Sequence, residues 1–245
     1  MSAAPSGRTV LWDLDGTLVG VRGRAVKTLM PVLAARSFRS TGPHRFLREL
    51  PGVLRAVRAN DTELTNTDYM VGLLAERFAL TPAEAEQRLR HLAEVEFPRL
   101  RSCFPPLPIA VDTVRALRAA GDTQVVATNP LWPASTAITR LRWGGHDPSA
   151  FAFITSGETM RRSKPRVEFY HELLERLSLR PGECVMVGND AANDAPAALA
   201  GIPMFLLGAG HAVPAACART GRVTTGHWPR LREWLGIEEK SCTSS

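Results

Sequence analysis

The stretch VLWDLDGTLVG, residues 10 to 20, ends an apolar run in two carboxylates, Asp13 and Asp15, followed by Gly16 and Thr17. Charges beside a core are costly unless a cation or a set of donors compensates them. Residues two apart in an extended chain face the same way, so the two carboxylates can converge, and Gly16 lets the backbone leave the strand in a tight turn. An EF-hand loop is excluded, because neither the D-x-D-x-D-G run nor the Glu at its twelfth position is present. Three further stations offer matching chemistry. VVATNP, residues 125 to 130, brings Thr128 and Asn129 to a strand end, where a hydroxyl and backbone N–H groups can bond an oxyanion, although a helix cap or turn uses the same residue types. SKPR, residues 163 to 166, contains Lys164, a lysine in a chain whose basic residues are otherwise almost all arginine. A compact ammonium suits a phosphate or carboxylate oxygen as a point charge, and an exposed loop lysine is the competing reading. VMVGNDAANDAPAALAG, residues 185 to 201, ends an apolar run at Gly188, Asn189 and Asp190, with Asp194 one helical turn later. Asp190, at the strand end, is the favoured metal ligand, whereas Asp194 is also explained by the preference for acids at a helix start. In combination the four stations form an edge suited to a hard divalent cation beside a phosphate, and Mg²⁺ commonly bridges carboxylates to such a group.

The elements that must position these groups follow from apolar periodicity. Strands are expected at Thr9 to Trp12, Gln124 to Thr128, Phe151 to Thr155, Cys184 to Gly188 and Met204 to Leu207. Helical patterns at about 109–120, 133–143, 166–178, 191–200 and 228–235 alternate with the later strands, as in a parallel sheet covered on both faces. The interval 21–105 holds no convincing strand. Phe46, Leu47, Leu50, Val53, Leu54 and Val57 recur at helical spacing, with Pro51 expected to kink or divide that element. Thr81, Pro82 and Glu84 make a helix start that should run to about Glu96. The expected organisation is an α/β, Rossmann-like three-layer core from 8–20 plus 106–236, an inserted α-helical cap over 21–105, and loose ends at 1–7 and 237–245.

The 245 residues, 44% hydrophobic and 22% charged, are those of a globular chain without the long apolar run of a spanning helix. No signal-peptide pattern precedes the first strand, and Cys103, Cys184, Cys217 and Cys242 are widely spaced, so a reducing, cytoplasmic setting is expected and no zinc site. The six histidines show no ligand spacing, and none is assigned to a metal. The net charge is +6, yet residues 21–59 carry nine basic side chains, Arg22 and Arg24 among them, against Glu49 alone. Such a field can gather small anionic substrates or can be a solvated helix face; without interleaved aromatics, nucleic acid is a minor reading.

DLDGT at 13–17, Thr128, Lys164 with Pro165, and Asp190 with Asp194 resemble, in this order, the four motifs of the haloacid dehalogenase-like (HAD-like) hydrolase superfamily, and within it the phosphatases. The helical insert stands where that family has its C1 cap. The resemblance implies an Mg²⁺-dependent phosphatase acting on a small-molecule phosphomonoester, with Asp13 as nucleophile forming an aspartyl-phosphate and Asp15 as general acid and base. It implies Mg²⁺ held by Asp13, the Asp15 main-chain carbonyl and Asp190, substrate phosphate held by Thr128, Asn129 and Lys164, and Asp194 orienting metal water or Lys164. Two departures stand out. Trp12 takes the place of the usual Phe, and Asn189 intervenes between Gly188 and Asp190. Dehalogenation is the less favoured chemistry because Asp15 is present; a phosphomutase shares the core residues, and a silent HAD-like binding or regulatory module is the alternative of a different class.

Overall fold

The computed structural model describes residues 7–208, 210 and 212–237. Most of the two expected loose ends, with Lys240 and Cys242, lies outside the described residues. Six parallel strands, β1 (Thr9–Trp12), β2 (Thr123–Val126), β3 (Phe153–Ile154), β4 (Cys184–Gly188), β5 (Met204–Leu207) and β6 (Val223–Gly226), form one sheet in the order β3-β2-β1-β4-β5-β6. Alternate residues of β1 feed two apolar clusters, Val10 and Trp12 one and Leu11 the other, and β2 and β4 divide in the same way. Both faces are therefore covered, the requirement of an all-parallel sheet. The order reverses beside β1, which puts the crevice of an open α/β sheet at the carboxyl ends of β1, β2 and β4.

The core helices are α5 (Pro108–Ala119), α6 (Ala134–Trp143), α7 (Val167–Leu177), α8 (Ala191–Asp194), α9 (Ala215–Ala218) and α10 (Trp228–Trp234). The helix expected over 191–200 is α8 followed by a 3₁₀ turn at Ala195–Ala198, because Pro196 has no N–H to continue the α ladder. The third strand is shorter than expected, and β6 and α9 have no counterpart in the sequence reading.

Between β1 and β2 the described chain forms helices α1 (Gly23–Ser37), α2 (Pro43–Arg58), α3 (Asn66–Phe78) and α4 (Pro82–His91). Pro51 does not divide α2: burial of Phe46, Val53 and Val57 along one face holds the helix together across the bond that proline cannot donate. Thr81 and Glu84 make the reciprocal capping box at the start of α4. Beyond α4 the helix widens to a π turn over Leu92–Glu96 and tightens to 3₁₀ over Phe97–Cys103, the return limb of the insert. Phe38 stacks on Phe46, and Phe78 packs tilted against both, at the centre of the insert. The two crossings between insert and core run side by side, with the Gly20 N–H donating to the Pro105 carbonyl at 2.9 Å and the Arg22 N–H to the Cys103 carbonyl at 2.8 Å.

Candidate active site

The last backbone bonds of the sheet carry Asp13 out of β1: its N–H donates to the Val187 carbonyl at 2.8 Å, and the Ala127 N–H donates to the Trp12 carbonyl at 2.7 Å. Lys164, from the loop before α7, sends its ammonium between two carboxylates, 3.0 Å from Asp13 Oδ1 and 2.6 Å from Asp194 Oδ1. Lys164 and Asp194 side chains are each 1% exposed and Asp13 is 14% exposed, so the trio is internal except at the free side of Asp13. Among the described residues Asp13 Oδ2 accepts no hydrogen bond. Burial pushes the Asp13 carboxyl up to about 7, against the pull of Lys164, with the charges of Asp194 and Asp15 adding to the rise. Burial also disfavours the ammonium, but Asp13 and Asp194 more than offset this and hold Lys164 protonated.

Asp194 is fixed from its other oxygen, which accepts the Asn189 and Asp190 N–H groups at 3.1 and 3.0 Å. It packs so closely over the end of β4 that a Cβ on Gly188 would meet it at 2.3 Å. The Tyr170 hydroxyl, donating to the Asn193 and Asp194 carbonyls at 3.0 and 3.2 Å, pins the same turn from below.

Asp13 and Asp15 do not stay side by side in one extended strand. The chain turns at Gly16 (φ +90), with the Leu18 and Val19 N–H groups both donating to the Leu14 carbonyl. His146, kept neutral by burial, braces this turn through the Leu18 carbonyl at 2.9 Å. Asp15 consequently pairs through Oδ2 with Arg140 of α6, while its buried Oδ1 has no partner.

Thr128 follows β2 and is 6% exposed; among the described residues its hydroxyl has no hydrogen-bond partner. Asn129 donates weakly through Nδ2 to the Lys164 carbonyl at 3.5 Å, and its Oδ1 is buried without a partner. The loops holding Pro130 and Ser163 are tied to the insert by fully buried Asn66, whose Nδ2 donates to the Pro130 carbonyl and the Ser163 hydroxyl, both at 3.1 Å.

Asp190 is not part of this assembly. Its exposed carboxylate caps α8, accepting the Ala192 and Asn193 N–H groups at 2.9 and 3.2 Å and the Asn193 side-chain amide at 2.7 Å. The preference for an acid at a helix start, set against metal ligation in the sequence reading, describes Asp190 rather than Asp194. The neighbouring Asn189 takes the inward place. Its Oδ1 accepts the Thr17 hydroxyl at 3.2 Å, and its amide lies where a Cβ on Gly16 would be only 2.3 Å away. Only glycine at position 16 leaves room for it.

The structure thus gathers Asp13, Lys164 and Asp194 tightly, sets Asp15 beside them on Arg140, and brings Asn189 in place of Asp190. Arg140, Asn66 and His146 were not anticipated as site residues. Arg140 opens RLRW, residues 140–143, and shares the buried face of α6 with Thr136, Ala137 and Leu141; a guanidinium on such a face is the signal that could have marked it.

The family of haloacid dehalogenase-like hydrolases matches residues 8–201 of the chain. A curated relative, a phosphoglycolate phosphatase from Xylella fastidiosa (strain Temecula1), is 28% identical over 204 residues, covering 81% of this chain and 79% of the relative. Among solved structures, a HAD-family hydrolase from Deinococcus radiodurans R1 with bound phosphate and sodium is 26% identical, with a TM-score of 0.52, covering 94% of this chain and 96% of that one. A 2-haloacid dehalogenase from Pseudomonas syringae pv. Tomato shares the fold at 21% identity, with a TM-score of 0.60 over 94% of this chain and 98% of that one. The sheet order, the four stations at its carboxyl edge and the match over residues 8–201 make this chain a member of the haloacid dehalogenase-like hydrolase family.

Proposed function

We propose that the protein is a phosphatase that hydrolyses a small phosphomonoester through a phosphoryl group carried on Asp13. The observation that carries this reading is the Lys164 ammonium, buried between Asp13 and Asp194 while Asp13 Oδ2 remains uncommitted at the end of the central strand. The ammonium orients the nucleophile through Oδ1 and leaves Oδ2 to attack phosphorus, as the ester oxygen departs. Asp15, with one oxygen on Arg140 and the other unpartnered, is placed to give the leaving alcohol its proton and then take one from the hydrolytic water. Thr128 and the Asn129 N–H offer uncommitted donors to the phosphoryl oxygens. A carboxyl lifted to about 7 by burial is a poor nucleophile until a cation stabilises its charge. The Asp13 carboxylate, the Asp15 main-chain carbonyl and the Asn189 side-chain oxygen would hold Mg²⁺, which prefers such hard donors. When bound, Mg²⁺ supplies charge neutralisation between the carboxylate and the incoming phosphate. The basic insert, in the place of a C1 cap, favours substrates with a second anionic group: Arg22, Arg99 and Arg101 share a cleft of about 590 Å³ with Phe104 and Trp143.

A phosphomonoester panel assayed for inorganic phosphate tests the reading. Release that depends on Mg²⁺ and stops with a chelator is expected, and no release from any ester would refute it. The ligand assignment has its own test in Mg²⁺ titration by calorimetry. Asn189→Ala is expected to weaken Mg²⁺ binding on the order of 10-fold or more, at least the loss seen when a partner behind a metal ligand is removed. Asp190→Ala should leave the affinity nearly unchanged and cost about 1 kcal/mol of stability as a lost helix cap. The reverse pattern would return the ligand role to Asp190.

A further inference from the structure

Arg140 is an anomaly in its surroundings. It lies on the inner face of α6, its side chain 6% exposed, packed against the adjoining rings of Phe97 and Phe104, whose centroids are 5.7 and 6.0 Å from the guanidinium carbon and 5.9 Å from each other. Both rings also pack on Trp143, with centroids 5.7 Å away in each case. A leucine or methionine would fill such a slot without the desolvation cost of a cation. The guanidinium is instead held at its root by the Thr136 carbonyl, 3.1 Å from Nε, and its far end pairs with Asp15 Oδ2. No other carboxylate among the described residues pairs with it.

The consequence appears on Asp15. With Oδ2 committed, Oδ1 is the single oxygen left for exchange, and it is buried with no hydrogen-bond partner. A buried acceptor without a partner calls for a proton or a ligand in the working molecule. We propose that Arg140 is a positioning residue for proton transfer: packed against Phe97 and Phe104 of the insert's return limb, it fixes the carboxylate of Asp15 so that Oδ1 faces the reacting oxygen. Arg140 itself does not touch substrate. The proton moves from Asp15 Oδ1 to the ester oxygen as the P–O bond breaks, and a proton from the attacking water returns to the same atom in hydrolysis. This inference rests on the phosphatase reading and adds a residue to it.

The test separates positioning from packing by leaving-group chemistry. An alkyl ester needs its leaving oxygen protonated, whereas p-nitrophenolate leaves without help. The full chain is assayed with Mg²⁺ on an alkyl phosphate and on p-nitrophenyl phosphate, and kcat/KM is compared because it reads only the steps through release of the alcohol, before the hydrolysis common to both esters. Arg140→Met is expected to lower kcat/KM for the alkyl ester on the order of 100-fold, within the range for general acid catalysis, and for the aryl ester by no more than about 3-fold. Arg140→Lys restores a cation at the slot and should recover part of the alkyl-ester rate; it also carries the test if the methionine variant fails to fold. Equal losses on both esters in the folded lysine variant, or no loss on either, would overturn the positioning role while leaving the phosphatase reading intact. No turnover of either ester by the wild type would bring down that reading, and this inference with it.

Discussion

Lys164→Met is expected to cost about 3–5 kcal/mol of stability, as measured by urea unfolding, together with a loss of kcat on the order of 10³-fold. Among the described residues the ammonium is the one cation between Asp13 and Asp194, two carboxylates in a site with almost no solvent. Removing it leaves two buried carboxyl groups with no cation between them, and a cost of that size is a large part of the 5–15 kcal/mol that holds a typical domain together. The two effects separate in a double variant. Adding Asp194→Asn removes one of the abandoned charges, so stability should recover substantially while turnover stays lost. Lys164→Arg should not rescue activity, because a wide planar fork does not fit a slot that seats a point charge 2.6 and 3.0 Å from its partners. Wild-type stability in the single variant would mean that the trio contributes no net electrostatic support.

Asp13→Asn has the opposite profile. Turnover is expected to fall on the order of 10⁴-fold or more, as for removal of a nucleophile, while metal-free stability rises. The folded protein raises the Asp13 carboxyl from 3.8 to about 7, so folding favours its protonated form. That favourable contribution is complete below pH 3.8 and is lost as pH rises through about 7; above this, the ionised carboxylate weighs against folding. Asparagine carries no such charge and leaves the Lys164–Asp194 pair in place. The melting temperature of the variant should therefore exceed that of the wild type by at least about 3 °C at pH 8 without metal, and the gap should close toward pH 4. Mg²⁺ should raise the wild-type melting temperature by mass action and move that of Asp13→Asn little. A variant less stable than the wild type at pH 8 would show that burial does not strain the nucleophile.

The parts of the molecule legible in the sequence are those in which one physical demand dominates. Val10, Leu11 and Trp12 read as a buried strand because both faces of β1 are covered, and the Thr81 capping box reads as a helix start from local chemistry alone. Lys164 stood out against an arginine background and lies at the centre of the site. β6 was missed because Val223–Gly226, VTTG, has one apolar residue and gains its place by pairing with β5 rather than by its own pattern. α2 was expected to break or kink at Pro51, but tertiary burial overrides one missing hydrogen bond. At the fourth station, Asp190 and Asn189 are adjacent and of opposite orientation, and only the turn out of β4 decides which faces inward. Arg140 was hidden for a related reason. Its partner lies 125 residues away, and no local pattern announces an ion pair made across the fold.

The most direct test of the central claim is to locate the transferred phosphoryl group. The wild-type protein is acid-quenched during steady-state turnover of a phosphomonoester with Mg²⁺, digested and examined by mass spectrometry. One phosphoryl group on Asp13, absent from Asp13→Asn, is the predicted result; turnover with no labelled carboxylate, or with the label on another residue, would contradict it.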